Sequence, residues 1–388
     1  MSDTASREGA ASERGRRIFL VAGEPSGDLQ AARLAAALAR RDPDLVLSGV
    51  GGPAMRQAGV TTVIDIEELS VMGIAEVVGA LARMRRIYRR ILAEMDSPHP
   101  PDLLVLVDFP EFNLLLARAA KRRGLRVLYY VSPQVWAWRR RRVRKIRERV
   151  DAMIVLFPFE EAFYVAHGVR ARFFGHPLAE AVAASRSPSE TRERLGTPAD
   201  GALVALLPGS RAKEVDRHLP LMLGAARLVG ARVRFAIARA PNIDRGRLER
   251  AASEAGVDVA IVENDTYNLL AAADAAAVAS GTATVEAALL GCPHVVVYKT
   301  SALTYAVARA LVRTRYIGMP NIILDAPVAP ELIQGRASPS ALAAALRRFL
   351  DDPVYARSVR ERLSGVRDVL VRPQAADRAA EYALELLG

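Results

Sequence analysis

Ile18-Phe19-Leu20-Val21-Ala22-Gly23-Glu24-Pro25-Ser26-Gly27-Asp28 is the stretch on which the reading of the fold turns. A short apolar run enters a turn with two glycines, and an Ala/Leu-rich helical segment follows to about residue 39. Strand, glycine-rich turn and helix, in that order, form the opening unit of a doubly wound sheet. The three-glycine spacing of a dinucleotide-binding turn is absent. Glycine lets the backbone approach a ligand, and a helix N-terminus favours anionic or hydroxyl-rich groups. A plain strand–helix turn fits the same residues.

Outward from this unit the pattern repeats. Residues 45–50 read as the next strand, followed by Gly51-Gly52-Pro53. Val71-Met72-Gly73-Ile74-Ala75 precedes a helical pattern with apolar residues at 77, 78, 81, 84, 87 and 91, close to a 3.6 period. The opposite face carries Arg83, Arg85, Arg86, Arg89 and Arg90. Such a helix can pack on a core or lie on a membrane surface. Residues 103–107 form a continuous aliphatic run, the signature of a central parallel strand covered on both faces. The run ends in Asp108-Phe109-Pro110-Glu111-Phe112-Asn113. Doubly wound folds place ligands at the carboxyl ends of strands, so Asp108 can act as a general base there; it can equally cap the next helix.

Residues 127–149 hold both tryptophans, Trp136 and Trp138, and then a run with eight basic residues and one acidic one between 139 and 149. Aromatics beside arginines can bind nucleic acid by stacking and phosphate contacts. They can face anionic lipid instead. They can also be a buried strand followed by a solvated basic helix.

A second α/β set follows a Ser-, Pro- and Thr-rich segment at 185–199 that reads as an interdomain linker. A strand at 203–207 runs into Pro208-Gly209-Ser210-Arg211, and a strand at 275–279 into Ser280-Gly281-Thr282-Ala283-Thr284-Val285-Glu286. Hydroxyls and backbone N–H groups at such a helix start can hold a phosphate, and Glu286 lies within reach of sugar hydroxyls; a simple helix cap fits the Ser-Gly-Thr turn as well. The expected organisation is a tail at 1–15, an acceptor- and membrane-side domain at 16–184, the linker at 185–199, a donor domain at 200–352, and C-terminal helices at 353–388 that pack back on the first domain.

Composition narrows the function classes. A formal net charge of +11 points to nucleic acid or anionic surfaces, but nearly all of it is arginine, with lysine only at 121, 145, 213 and 299. Local clustering is therefore the better guide. The single cysteine, Cys292, excludes an intrachain disulfide. The five histidines are scattered, without metal-ligand spacing, so no metal and no cofactor are expected. The polar N-terminus does not read as a signal peptide, and no uncharged apolar run approaches 18 residues. A cytoplasmic protein that can touch a membrane surface is the expectation.

Both phosphate-type turns fall in the second half, which should hold a nucleotide diphosphate; Asp108 and the aromatic–arginine block leave the second reactant to the first half. An activated donor facing an acceptor implies group transfer. Gly23-Glu24-Pro25-Ser26-Gly27-Asp28, Ser70-Val71-Met72-Gly73, Val107-Asp108-Phe109-Pro110-Glu111-Phe112-Asn113, Ser132-Pro133-Gln134-Val135-Trp136-Ala137-Trp138, Gly175-His176-Pro177, Pro208-Gly209-Ser210-Arg211, Ser280-Gly281-Thr282 and Pro320-Asn321 together resemble the lipid-A-disaccharide synthase family.

The resemblance implies a GT-B glycosyltransferase, two doubly wound Rossmann-like domains facing a cleft. It implies inverting transfer of 2,3-diacylglucosamine from UDP-2,3-diacylglucosamine to 2,3-diacylglucosamine 1-phosphate, with release of UDP. Asp108 is then the base. Arg211, Ser210, Ser280, Gly281, Thr282, Glu286, Asn321 and Gln334 are expected on the UDP side. Ser26, Asp28, Trp136, Trp138 and Arg139 are expected at the acceptor. Val71, Met72, Ile74, Arg140 and Arg141 are expected to face an anionic membrane surface on the cytoplasmic side of the inner membrane. The main rivals are another UDP-sugar enzyme of this architecture, such as a 2-epimerase, and a nucleic-acid-binding protein; the latter leaves Asp108 and both phosphate turns without a role.

Overall fold

The computed structural model describes residues 15–69, 77–137, 141–198, 200–230, 232–311 and 314–388. The chain divides into two compact units, Met1–Pro177 with Arg372–Gly388, and Leu178–Val371. Each is built on one parallel sheet.

In the first unit the strands are β1 (Arg17–Ala22), β2 (Val46–Gly51), β3 (Thr61–Asp65), β4 (Leu103–Val107), β5 (Arg126–Tyr130), β6 (Ala152–Val155) and β7 (Ala171–Phe173). They lie in the order β3-β2-β1-β4-β5-β6-β7. Side chains alternate across a strand, so β1 feeds two cores: Phe19 and Val21 enter one, Ile18, Leu20 and Ala22 the other. Both faces are covered, which is why β4 reads Leu-Leu-Val-Leu-Val without a polar residue. Helix Pro25–Arg41 covers one face together with the C-terminal helix Ala375–Glu385, whose Ala379, Ala380, Tyr382 and Ala383 are buried there. On the other face, helix Val77–Met95 sends Ile87, Ile91 and Met95 into the core and leaves Arg83, Arg85, Arg86, Arg89 and Arg90 exposed.

The second unit contains β8 (Ala202–Leu207), β9 (Val233–Arg239), β10 (Val259–Glu263), β11 (Ala275–Ala279), β12 (His294–Tyr298) and β13 (Glu331–Ile333), in the order β10-β9-β8-β11-β12-β13. Alanine is a poor strand former, yet β11 is Ala-Ala-Ala-Val-Ala and wholly buried. The helices Ala212–Val229, Thr282–Leu289 and Pro339–Asp351 pack directly on it, and small side chains let them approach.

Strand order reverses once in each sheet, between β1 and β4 and between β8 and β11. Ala22 pairs with Val107 and Val278 with Leu207. The turn after β1 and Asp108 after β4 thus leave the first sheet side by side, and the turns at 208–211 and 280–282 do so in the second. These are the topological switch points at which doubly wound sheets bind ligands.

The expected boundaries are corrected in two places. The units part after Pro177, and residues 185–199 are not a linker. Ser185 and Arg186 donate their amides to Asn268 Oδ1 (2.8 and 2.9 Å), Ser187 caps helix Pro188–Arg194, and Arg192 pairs with Asp274 at 2.9 Å. The Ser-Pro-rich composition encodes a capped helix of the second unit. At the other end, helix Pro353–Leu370 stays with the second unit, burying Val359, Leu363, Val366 and Leu370, and only 372–388 return to the first.

Candidate functional site

At the first switch point, Asp108 and Phe109 both adopt left-handed backbone, with φ 49 and 46. Non-glycine residues in that region cost about 1–3 kcal/mol each and persist only where the surroundings hold them. The Phe109 ring lies over Gly23, where an added Cβ would stand 2.5 Å from it; glycine is required there for space. Burial pushes the Asp108 carboxyl above its usual range, and the charge of Glu24 in the β1 turn adds to the shift. Ser26 is exposed in the first turn of helix Pro25–Arg41.

Asp28 is corrected from an acceptor-side residue to a structural one. Its carboxylate is buried and accepts hydrogen bonds from the amides of Gly52 (2.7 Å), Ala54 (2.9 Å) and Met55 (3.2 Å). It caps the start of helix Pro53–Gln57 from across the unit, and the Gly51-Gly52-Pro53 turn exists to receive it.

Trp136 is also corrected. The indole is buried, packs edge-on against Phe159 at 4.8 Å, and donates Nε1–H to Glu160 at 2.9 Å. Glu160 is buried and accepts four hydrogen bonds, from Ser132 Oγ, Trp136 Nε1 and the amides of Leu156 and Phe157. Burial pushes its pKa up to about 7 against the pull of those four donors. Tyr164 Oη adds a bond to the Pro133 carbonyl at 2.7 Å. The aromatic loop after β5 is therefore fastened from within, and of residues 132–136 only Gln134 is exposed.

The basic run continues as helix Arg142–Arg149, held by buried Val143 and Ile146. Arg142 forms a fork with Glu111 (2.6 and 3.1 Å), Arg144 pairs with Glu148, and Arg141 is exposed. Trp138, Arg139 and Arg140, and the expected membrane-facing Val71, Met72 and Ile74, lie outside the described residues.

At the second switch point a cavity of about 670 Å³ is lined by Ser210, Arg211, Ser280, Gly281, Thr282 and Glu286. Six of the eight residues expected at the donor thus meet in one place. Gly281 has φ 154, and helix Thr282–Leu289 begins directly after it, so its free N–H groups border the cavity. Ser280 Oγ donates to the Ile317 carbonyl at 3.0 Å. Glu286 accepts from Tyr267 Oη at 3.1 Å, and burial raises its pKa while that bond opposes the shift.

The turn after β8 already holds an anion of its own. Glu214 Oε2 accepts from the amides of Ser210 and Arg211, each at 3.2 Å, and Oε1 from Arg211 Nη1 at 3.0 Å. The side chain of Arg211 is otherwise 81% exposed. His218 is buried beneath the turn: Nδ1 faces the Pro208 carbonyl at 3.0 Å and Nε2 accepts from the Lys299 amide at 3.0 Å. That pairing defines a neutral ring protonated on Nδ1, and burial lowers its pKa accordingly. Glu214, Tyr267 and His218 were not singled out from sequence. Glu214 at the third position of its helix supplies the carboxylate half of a capping box, accepting from the Arg211 amide, but the Ser/Thr half that would mark it in the sequence is missing because a guanidinium only donates.

Asn321 and Gln334 do not line the cavity. Asn321 is buried, donating Nδ2 to the Ala329 carbonyl (2.7 Å) and Glu331 Oε1 (2.9 Å) and accepting at Oδ1 from the amides of Val328 and Ala329 (2.8 Å each). Those four bonds exhaust the capacity of an amide side chain. Gln334 grips the Thr300 backbone, accepting from its amide at 3.0 Å and donating to its carbonyl at 2.8 Å. Asn321 shapes the approach to β13 and is corrected from a ligand contact to a structural one, whereas Gln334, directly after β13, is half-buried and uses one acceptor position and one N–H in this grip. Among the described residues no group of three or more His, Cys, Asp or Glu side chains could hold a metal ion, and no helix is long and apolar enough to cross a membrane.

Comparison with known proteins bears on this geometry in two ways. The chain resembles solved structures in fold: a putative UDP-N-acetylglucosamine 2-epimerase from Listeria monocytogenes (TM-score 0.63, 13% identity, 95% of this chain and 94% of that one) and Anabaena HepE in complex with UDP and glucose (TM-score 0.57, 14% identity, 95% and 99%). In sequence it is 42% identical over 376 residues to a lipid-A-disaccharide synthase of Geobacter metallireducens, covering 96% of this chain and 98% of that one. It is 44% identical over 374 residues to that of Syntrophus aciditrophicus, covering 95% and 97%. The family model for lipid-A-disaccharide synthetase matches residues 18–379, a span that contains both switch points and their turns. The chain belongs to the lipid-A-disaccharide synthetase family.

Proposed function

We propose that this enzyme is an inverting glycosyltransferase that forms the lipid A disaccharide, with Asp108 as general base and the second unit as the donor site. Its donor is UDP-2,3-diacylglucosamine and its acceptor 2,3-diacylglucosamine 1-phosphate. The observation that carries this reading is the Asp108 carboxyl at the end of β4, beside the β1 turn, held above the usual carboxylate range by burial. A base works best with a pKa moved toward the operating pH, in a place where a hydroxyl can reach it.

The reaction is a single displacement. The acceptor 6-hydroxyl oxygen attacks the anomeric carbon from the face opposite the diphosphate and gives its proton to Asp108. The anomeric C–O bond breaks with its electron pair on UDP, and a β-1,6 bond remains. General-base assistance is worth ~10²–10⁴-fold, roughly 3–5 kcal/mol of barrier. Charge building on the leaving diphosphate is met by Arg211 and by the N–H groups that start helices Ala212–Val229 and Thr282–Leu289. Glu214 must release the first of these before diphosphate can take its place. Glu286 is suited to a sugar hydroxyl, with Tyr267 fixing its carboxyl.

Acylated substrates reside in a bilayer. The exposed arginines of helix Val77–Met95 and the basic helix Arg142–Arg149 suit an anionic membrane surface on the cytoplasmic side. The deciding experiment is incubation with the UDP-diacyl sugar and the acylated acceptor, with mass detection of a tetra-acyl disaccharide phosphate and of UDP. Absence of that product from folded enzyme, or release of UDP without acceptor consumption, would refute the reading. Vesicle sedimentation tests the surface: binding to anionic vesicles should weaken as salt rises, and salt-independent binding would remove the arginines from it.

A further inference from the structure

The peptide that carries Asp108 is held by side chains from two other elements. Asp108 N donates to the Tyr130 carbonyl at 3.0 Å, an extension of the β4–β5 ladder. Its carbonyl then leaves the ladder and is taken by two buried side chains. Tyr129 Oη donates to it at 2.6 Å, and Asn113 Nδ2 donates to it at 2.8 Å while also reaching the Val107 carbonyl at 3.1 Å. Tyr129 and Asn113 are both 0% exposed. Tyr129 is among the largest fully buried side chains of the chain, and its hydroxyl serves this one carbonyl.

These bonds have a geometric consequence. Asp108 and Phe109 stand at φ 49 and 46, a region uncommon for residues with a Cβ and more so for Phe than for Asp. Relaxation of Asp108 to an extended or right-handed conformation would swing its Cα–Cβ bond and carry the carboxylate off its line. Phe109 cannot compensate, because its ring is fitted against Gly23. General-base transfer requires the carboxylate within hydrogen-bond reach of the attacking hydroxyl, and a misplacement of about 1 Å can cost ~10²-fold in rate.

We propose that Tyr129 and Asn113 are positioning residues for the transfer reaction: by clamping the Asp108 carbonyl they hold the left-handed Asp108–Phe109 backbone and so aim the Asp108 carboxylate at the acceptor hydroxyl. The inference rests on Asp108 being the base. Neither residue touches substrate; both act through the backbone of Asp108.

The test is a kinetic double-mutant cycle on the full chain. Tyr129→Phe removes one hydroxyl and keeps the ring in the core. It should lower kcat about 10- to 100-fold, the range of a misaimed group, with KM for donor and acceptor within about twofold, the pattern of an interaction used only in the transition state. Asn113→Ser should do the same to a lesser degree, and serves if Tyr129→Phe lowers the yield of folded protein. In the Asp108→Asn background, Tyr129→Phe should add almost nothing, since a misplaced amide loses no base. A structural role alone predicts losses that multiply. Multiplying losses, or normal kcat in both Tyr129→Phe and Asn113→Ser while Asp108→Asn is impaired, would overturn this inference and leave the base reading standing. Near-normal kcat in Asp108→Asn would remove the base reading and the clamp together.

Discussion

At the switch point of the first sheet the carboxyl proposed as the base hangs from a backbone locked by buried side chains, whereas at that of the second the proposed anion-binding turn is exposed and held by a carboxylate of the protein itself. Asp108 is desolvated, its peptide clamped from β5 and from helix Pro110–Arg122. The Arg211 side chain is 81% exposed and, among the described residues, pairs with Glu214. The difference suits the two tasks proposed for these sites. A proton acceptor must be aimed to within a fraction of an ångström and gains from a low dielectric. A diphosphate is large and highly charged, and it is bound by several donors that can close on it.

Four substitutions break or sharpen this contrast, and the largest effect belongs to the locked side. Asp108→Asn should lower kcat by ~10²–10⁴-fold, the range of a lost general base, and leave UDP affinity by calorimetry unchanged. Arg211→Ala should act on the other side, lowering kcat/KM for the donor about 10- to 100-fold through lost charge-assisted contacts. Its pH–rate profile should keep the wild-type acid limb, because Asp108 belongs to the first unit; a displaced limb would contradict the division of labour.

Glu214→Gln should have a smaller effect of opposite sign. Weakening the resident anion leaves Arg211 and the Ser210 and Arg211 amides more available, and UDP should bind about threefold tighter as the competent fraction of the turn rises. Weaker binding would mean that Glu214 builds the turn and does not compete at it. Smallest is Glu24→Gln. With Asp108 as the proposed base the reaction needs it ionised, so turnover should fall as pH drops through its raised pKa. Glu24 contributes to that rise, so its neutralisation should move the acid limb to lower pH, most clearly at low ionic strength. A limb that moves upward, or one that does not move at low salt, would detach Glu24 from Asp108.

Much of the architecture was legible in advance where the signal is local. The five-residue aliphatic runs that became β4 and β8 are buried on both faces, so each shows as an unbroken apolar block. Strands β3, β7 and β13 were not read, because they sit at sheet edges and mix polar with apolar residues, and β7 and β13 are only 3 residues long. The segment at 185–199 was misread because Ser, Pro and Thr serve a helix cap as readily as a loop.

Side-chain assignments divide along the same line. Ser210, Arg211, Ser280, Gly281, Thr282 and Glu286 sit within a few residues of a strand end, so the strand places them. Asp28, Asn321, Gln334 and Trp136 carry the same polar groups, but their partners at Gly52, Ala329, Thr300 and Glu160 are 8 to 34 residues away. Which polar group faces a ligand and which completes the fold depends on those distant partners.

The sequence by itself determined the two α/β sets, the glycine- and hydroxyl-bearing turns and the family to which they point. These are properties of short segments, set by side-chain periodicity and backbone preference. The tertiary structure alone decided that β1 lies beside β4 and β8 beside β11, which brings turns about 70 to 85 residues apart in the chain to one place. It alone decided that a buried tyrosine and asparagine close on the Asp108 carbonyl. The physical reason is that strand order and buried hydrogen bonds are settled by packing among segments remote in the chain, where most enclosed polar groups take a partner.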